Sequence, residues 1–169
     1  LDEAATARRP ITNLALQKLL YFVHGLHLVE TKRPLVSGFF EAWQYGPVHP
    51  IAYRAFKSAG AEPIHFRAEL KDPFTGAPVS LPECTDLDAR ARVRRVVTMY
   101  AGMTPGRLVE VSHARGAPWQ LTVDRARTET VIGLRIPNDL IAERFKHHKV
   151  SIGPEPRHGE PSEESPIEE

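Results

Sequence analysis

The passage EAWQYGPVHPIAYRAF, residues 41–56, sets two prolines and a glycine among aromatic side chains and so restricts its own backbone tightly. Proline holds φ at about −65° and has no N–H, so Pro47 and Pro50 mark boundaries between elements rather than interiors. Upstream, FFEAWQY reads as a strand with Glu41, Trp43 and Tyr45 on one face and Phe40, Ala42 and Gln44 on the other. Gly46-Pro47 is expected to break that strand. Pro50 then suits the first turn of a helix, where a missing N–H loses no bond. In that helix Ile51, Ala52, Ala55, Phe56 and Ala59 form the expected buried side, Tyr53, Arg54 and Lys57 point outward, and Gly60 is the stop.

Around this fixed point the chain reads as mainly helical. Thr12 is a good N-cap, with Ile11 before it able to staple against Leu16. Leu16, Leu19, Leu20, Val23 and Leu26 follow with helical spacing and form one apolar face, and Gln17, Tyr21 and His24 line the neighbouring stripe, which reads as core packing with a hydrogen-bonding rim rather than as a ligand site. Residues 1–9 look like the end of an earlier helix whose start is expected before Leu1. Residues 61–82 carry the turn signal DPFTG between two β-prone pieces, IHF and VSL, which predicts a hairpin. Asp86 or Asp88 starts a helix with Val93, Val96, Val97 and Tyr100 inward, ended by Gly102. Thr104-Pro105 opens a helix to about His113, and Pro118-Trp119 opens another after Gly116. TVIGLRI alternates as a strand, and Asn138 or Asp139 caps a last helix containing Leu140, Ile141 and Phe145. About six helices with a few short strands, or a small antiparallel sheet, predict a mainly helical α+β single domain over residues 1–150.

The formal net charge of +1 conceals a division. Residues 151–169 hold six Glu and one Arg, a net −5, and leave +6 for residues 1–150. With prolines at 154, 156, 161 and 166 and few large apolar groups, this segment reads as a disordered acidic tail. It fits a solubilising extension, and also a partner-binding or self-shielding one. The longest apolar stretch, LLYFVHGLHLV, is shorter than the about 20 residues a bilayer crossing needs. One cysteine, Cys84, allows no disulfide within the chain and fits a reducing cytosol.

Catalytic chemistry finds little purchase. His24 and His27 stand at i, i+3, and His147 and His148 are adjacent near a helix end. Neither pair has the spacing or the companion Glu of a metal-binding helix. Cys84 lies in LPECTD, where acidic neighbours oppose a thiolate. There is no nucleophile elbow, no glycine-rich phosphate loop and no indicated cofactor. ARARVRRV supplies Arg90, Arg92, Arg94 and Arg95, but these spread around most of a helix and follow Glu83, Asp86 and Asp88, as on a solvated face. A DNA-binding regulator is the alternative that the body charge keeps open, although no DNA-binding motif accompanies it. Trp43 and Tyr45 are residue types enriched at interface hot spots, and equally suit core filling.

Four blocks taken together carry a resemblance. ITNLALQKLLYFVHGLHL (11–28), FEAWQYGPVHPIAYRAFK (40–57), VSHARGAPW (111–119) and IPNDLIAERFK (136–146) resemble, in this order, the Panacea antitoxin domain family, which includes SocA-type and GepA-like members. The resemblance implies a non-enzymatic cytoplasmic bacterial antitoxin that neutralises a cognate protein toxin by direct contact. The SocA-type branch implies a variation in which the toxin is delivered to an ATP-dependent protease of the ClpXP type. Members meet unrelated toxins, so shared motif residues are expected to define the fold: Gln17, Lys18, Tyr21, Trp43, Tyr45, Gly46, Pro47, His113, Pro118 and Trp119. Toxin contact is expected on variable surface, with Tyr53, Arg54, Lys57, Arg90 and Arg94 as candidates. His24 stands where a small residue is commoner in the family, and the acidic tail lies outside its pattern.

Overall fold

Thr12 begins the longest helix among the described residues. Its side chain accepts the Ala15 N–H, and helix α2 runs from Asn13 to Thr31. The computed structural model describes residues 1–129 and 133–146. Before α2 lies a short helix, α1 (Asp2–Thr6); after it come strands β1 (Phe40–Trp43) and β2 (Gly46–Val48) and helix α3 (Pro50–Phe56), which continues into a 3-10 turn (Lys57–Ala59). A hairpin of β3 (Glu69–Lys71) and β4 (Pro78–Ser80) precedes α4 (Leu87–Tyr100), α5 (Pro105–Ser112) and α6 (Pro118–Thr128). Strand β5 (Arg135–Ile136) and α7 (Asn138–Phe145) complete the described chain. The mainly helical α+β expectation therefore holds.

Helix α2 is wrapped on every side, with α3, α4, α5, α7 and β2 all packing against it. This corrects the expected single apolar face. Leu16, Leu20 and Leu26 are only partly buried, whereas the neighbouring stripe of Gln17, Tyr21 and His24, expected to pack in the core with hydrogen bonds, is 1% exposed at each position. Periodicity identifies one inward face, and a surrounded helix has none to identify. At Gly25 the approach is closest, because any Cβ there would run into the Phe145 ring of α7. Tyr21 meets Phe40 and Phe145 edge-on at 5.3 and 5.2 Å, which joins helix, sheet and final helix in one core.

The main sheet is antiparallel in the order β2-β1-β5, with Phe40 opposite Ile136 and Ala42 opposite Pro47. Phe40, Ala42 and Ile136 point into the core, as alternation requires. Gly46-Pro47 does not break the strand as expected. Gln44 and Tyr45 form a two-residue turn, and Gly46, with φ 102°, opens the returning strand. That φ is open to glycine and strained for other residues. Pro47 is tolerated because β2 is an edge, where an absent N–H removes no ladder bond.

Helix α3 also departs from expectation. None of its residues is fully buried, Ile51 is 63% exposed, and Ala55 is exposed. Tyr53, expected to point outward, packs edge-on against Trp43 at 5.0 Å. The helix is held at its start and its middle: the His49 side chain caps it through Nδ1, and Asn13 Nδ2 donates to the Tyr53 carbonyl.

Other boundaries shift less. Asp86 and Thr104 cap α4 and α5, and Pro105 and Pro118 open α5 and α6. The hairpin exists, but its first strand is Glu69–Lys71 rather than IHF, with Asp72 accepting from Phe74 and Thr75 in the turn. Pro137, not Asn138 or Asp139, precedes α7, and no side chain caps it, because the Asn138 side chain is committed to His24. Of TVIGLRI, residues 130–132 lie outside the described residues, as do His147, His148 and the tail.

Candidate functional site

The side chains of α2 reach across to fix strand β2 and α3. Gln17 donates to Asn13 Oδ1 at 3.0 Å and accepts the His49 N–H at 3.0 Å. Asn13 passes the connection on to the Tyr53 carbonyl at 3.2 Å. His49 in turn donates from Nε2 to the Ser37 carbonyl at 2.8 Å. Backbone groups that a short strand and a seven-residue helix leave unpaired are thus satisfied by buried side chains, as a buried polar set requires.

Lys18 lies at the centre of a second set. It is 0% exposed, and its Nζ donates to the Pro47 carbonyl at 3.1 Å. Burial away from water lowers its pKa to about 7. Gly46 leaves the room this ammonium occupies: a Cβ there would stand 2.6 Å from Ser112 Oγ and 2.9 Å from Lys18 Nζ. Next in the chain, His113 lies flat on Trp119, with centroids 3.6 Å apart and an 11° interplanar angle. Burial, followed by the charge of Lys18, lowers the His113 pKa to about 4. Trp119 Nε1 donates to the Trp43 carbonyl at 2.7 Å, which links α6 to β1. Pro118 and Pro47 are buried, Tyr45 is half-buried in its turn, and the Trp43 indole donates to Glu41 at 2.7 Å.

The structure thus places Gln17, Lys18, Gly46, Pro47, Trp43, His113, Pro118 and Trp119 around one junction of α2, β1, β2, α5 and α6. Tyr21 lies in the aromatic core instead, its buried hydroxyl without a hydrogen-bond partner among the described residues and its pKa pushed up by burial. Sequence reasoning missed Asn13, His49 and Ser112. Only the four-residue spacing of Asn13 and Gln17 hinted at any of them.

The surface candidates fall in two places. Tyr53, Arg54 and Lys57 lie on or just after α3, where Arg54 is exposed beside the exposed Ile51. Arg90 and Arg94, on α4, both reach Glu3 of α1, at 3.5 and 3.0 Å. Arg92 and Arg95 reach Glu30 at the end of α2, at 2.6 and 3.2 Å. The arginine row therefore straps α4 to α1 and α2 instead of presenting unpaired cations.

For chemistry the arrangement offers little. Among the described residues no group of three His, Cys, Asp or Glu is placed to hold a metal ion. His24 donates from Nε2 to Asn138 Oδ1 at 3.0 Å and accepts from the Val36 N–H through Nδ1, and burial lowers its pKa. Cys84 is exposed. No described helix is long and apolar enough to cross a membrane.

Residues 16–120, which include Lys18, the hairpin, α3 and most of the junction, match the family described as antitoxin SocA-like, Panacea domain. The chain belongs to that family. It is 45% identical to antitoxin SocA of Caulobacter vibrioides (strain NA1000 / CB15N) over 166 residues, covering 98% of this chain and 88% of that relative. No solved structure matches. Family membership carries an antitoxin role within a toxin–antitoxin system.

Proposed function

We propose that this chain neutralises its cognate protein toxin by direct contact, with α3 and its Trp43–Tyr53 base as the contact face. The observation that carries this reading is the manner in which α3 is held. It is locked by Asn13, Gln17 and His49 from below, yet its outward side keeps Ile51 63% exposed beside Arg54. A helix pre-fixed in this way loses little conformational freedom on binding. An exposed aliphatic flanked by arginine and aromatic groups suits a protein partner better than a small molecule. Lys57 extends the face, and Arg90 and Arg94 are secondary candidates because Glu3 already engages both. In this reading the junction around Lys18 has a structural role.

The test pairs Ile51→Asp with Arg54→Glu in cells expressing the neighbouring toxin gene. The expected result is lost rescue and lost co-purification with an unchanged thermal midpoint. Full rescue by both variants would move the contact away from α3. Delivery to an ATP-dependent protease of the ClpXP type is the finer version. It predicts that toxin half-life shortens when this chain and an active protease are both present; an unchanged half-life leaves masking alone.

A further inference from the structure

The hairpin of β3 and β4 carries an edge that its own chain leaves open. Its strand residues are all exposed, and among the described residues the two strands pair only with each other. Lys71 stands opposite Pro78, Leu70 opposite Val79 and Glu69 opposite Ser80. Pro78 has no N–H, so Lys71 and Pro78 cannot be a hydrogen-bonded pair. The Asp72 N–H, which donates to the Ala77 carbonyl at 2.9 Å, sets the same phase. The N–H and C=O groups of Leu70 therefore turn toward β4, while those of Glu69 and Lys71 turn away from it, along the free edge of β3. The outer edge of β4 is blunted by Pro78, whose ring takes a donor position there. Alternation gathers Leu70, Val79 and Leu81, which are 55%, 45% and 48% exposed, on one face and Glu69 and Lys71 on the other.

We propose that this edge pairs with the same edge of a second copy of the chain, antiparallel and centred on Leu70, into one continuous sheet in the order β4-β3-β3-β4. Charge selects both the partner and the register. Pairing centred on Leu70 sets Glu69 of each copy directly opposite Lys71 of the other, and neither side chain has an ion-pair partner among the described residues of its own chain. A register moved by two residues sets Glu69 against Glu69 or Lys71 against Lys71. One moved by a single residue turns the apolar side chains of one copy onto the charged face of the other. In the centred register Glu69 and Lys71 of each copy exchange both backbone hydrogen bonds with Lys71 and Glu69 of the other. Leu70 then meets Leu70 as the close, non-hydrogen-bonded pair, with Cα atoms about 4.5 Å apart. The same register carries the hairpin tip, where Phe74 is 95% exposed, toward Phe66 of the second copy. A contact of one patch with itself closes at two copies. It uses the hairpin alone, so this inference does not depend on the toxin-contact reading.

Sedimentation and cross-linking of the full chain test it together. Between about 1 and about 500 μM the chain is expected to pass from monomer to dimer, as a small interface does. In a Cys84→Ser background, Leu70→Cys is expected to oxidise to a disulfide-linked dimer, because its Cα spacing falls within the about 4.4–6.8 Å that a disulfide spans. Glu69→Cys and Lys71→Cys, each displaced along the strand from its own counterpart, should link about tenfold more slowly. Glu69→Lys sets lysine against Lys71 and should weaken the dimer about tenfold. Glu69→Lys with Lys71→Glu restores the opposite pairing and should recover it, with the thermal midpoint unchanged in both variants. A chain that stays monomeric throughout would overturn the proposal, as would equal linking at the three positions or a dimer that the charge swap does not rescue. A monomer whose Glu69 and Lys71 amides gain hydrogen-exchange protection only from the toxin would overturn it too, and would give the edge to that partner.

Discussion

Lys18→Met should make this protein more stable in mildly acidic solution, and the gain should vanish in alkali. Lys18 is wholly buried and has one acceptor, the Pro47 carbonyl. Its pKa falls from 10.5 to about 7. A shift of that size corresponds to about 5 kcal/mol, at about 1.4 kcal/mol per unit. Because the folded value lies below the unfolded one, the unfolded chain holds more protons between pH 7 and 10.5. Stability therefore rises with pH across that window, and below it the full cost of the buried charge is carried. Methionine fills a similar length without charge but leaves the Pro47 carbonyl without its donor, a loss of about 1–3 kcal/mol. The net gain near pH 6 is then about 2–4 kcal/mol. Near pH 10 the wild-type lysine has regained all but about 1 kcal/mol, so the two proteins should match or change order. Urea unfolding followed by far-UV circular dichroism, on both proteins from about pH 6 to pH 10, measures the difference directly and cancels the titrating groups that do not feel the charge of Lys18. A difference that is constant with pH, or a variant less stable near pH 6, would refute the reasoning, because the ammonium would then not be desolvated at its site.

Two further substitutions probe the same interior. Gly46→Ala puts a Cβ against Ser112 Oγ and Lys18 Nζ at a φ of 102°. Strain and overpacking together should remove about 2–5 kcal/mol in a denaturant titration, and a change under about 0.5 kcal/mol would mean the junction yields easily. Tyr21→Phe deletes a buried hydroxyl that has no hydrogen-bond partner among the described residues. It should be neutral or raise stability by about 1 kcal/mol, whereas a loss of that size by thermal melting would reveal an acceptor for the hydroxyl.

Local chemistry in the sequence located most of the helices. Thr12, Asp86 and Thr104 announced themselves as caps, and Pro105 and Pro118 as first-turn residues, because these signals depend on a few neighbouring backbone groups. Val96, Val97 and Tyr100 were legible as the inward face of α4, which has one packed side. What failed depended on distant chain. The sequence marks Gln17 and Lys18 as fold-defining but does not name what they bond, because the His49 amide and the Pro47 carbonyl arrive from 32 and 29 positions away. Ile51 looks like core because its pattern is apolar, yet α3 is held by hydrogen bonds rather than by that face. The family motif pointed at the junction residues, but the resemblance could not tell that Tyr21 belongs to a different neighbourhood from Lys18.

The exposed hairpin at residues 69–80 divides the molecule in an informative way. The central helix lies before it in the chain, while α4, α5 and α7, which enclose that helix, all lie after it. A protease nick at Phe74, which is 95% exposed, would therefore yield two pieces that each lack the other half of one shared interior. Neither piece has a core to fall back on, so the cut halves would remain clasped and melt in a single step.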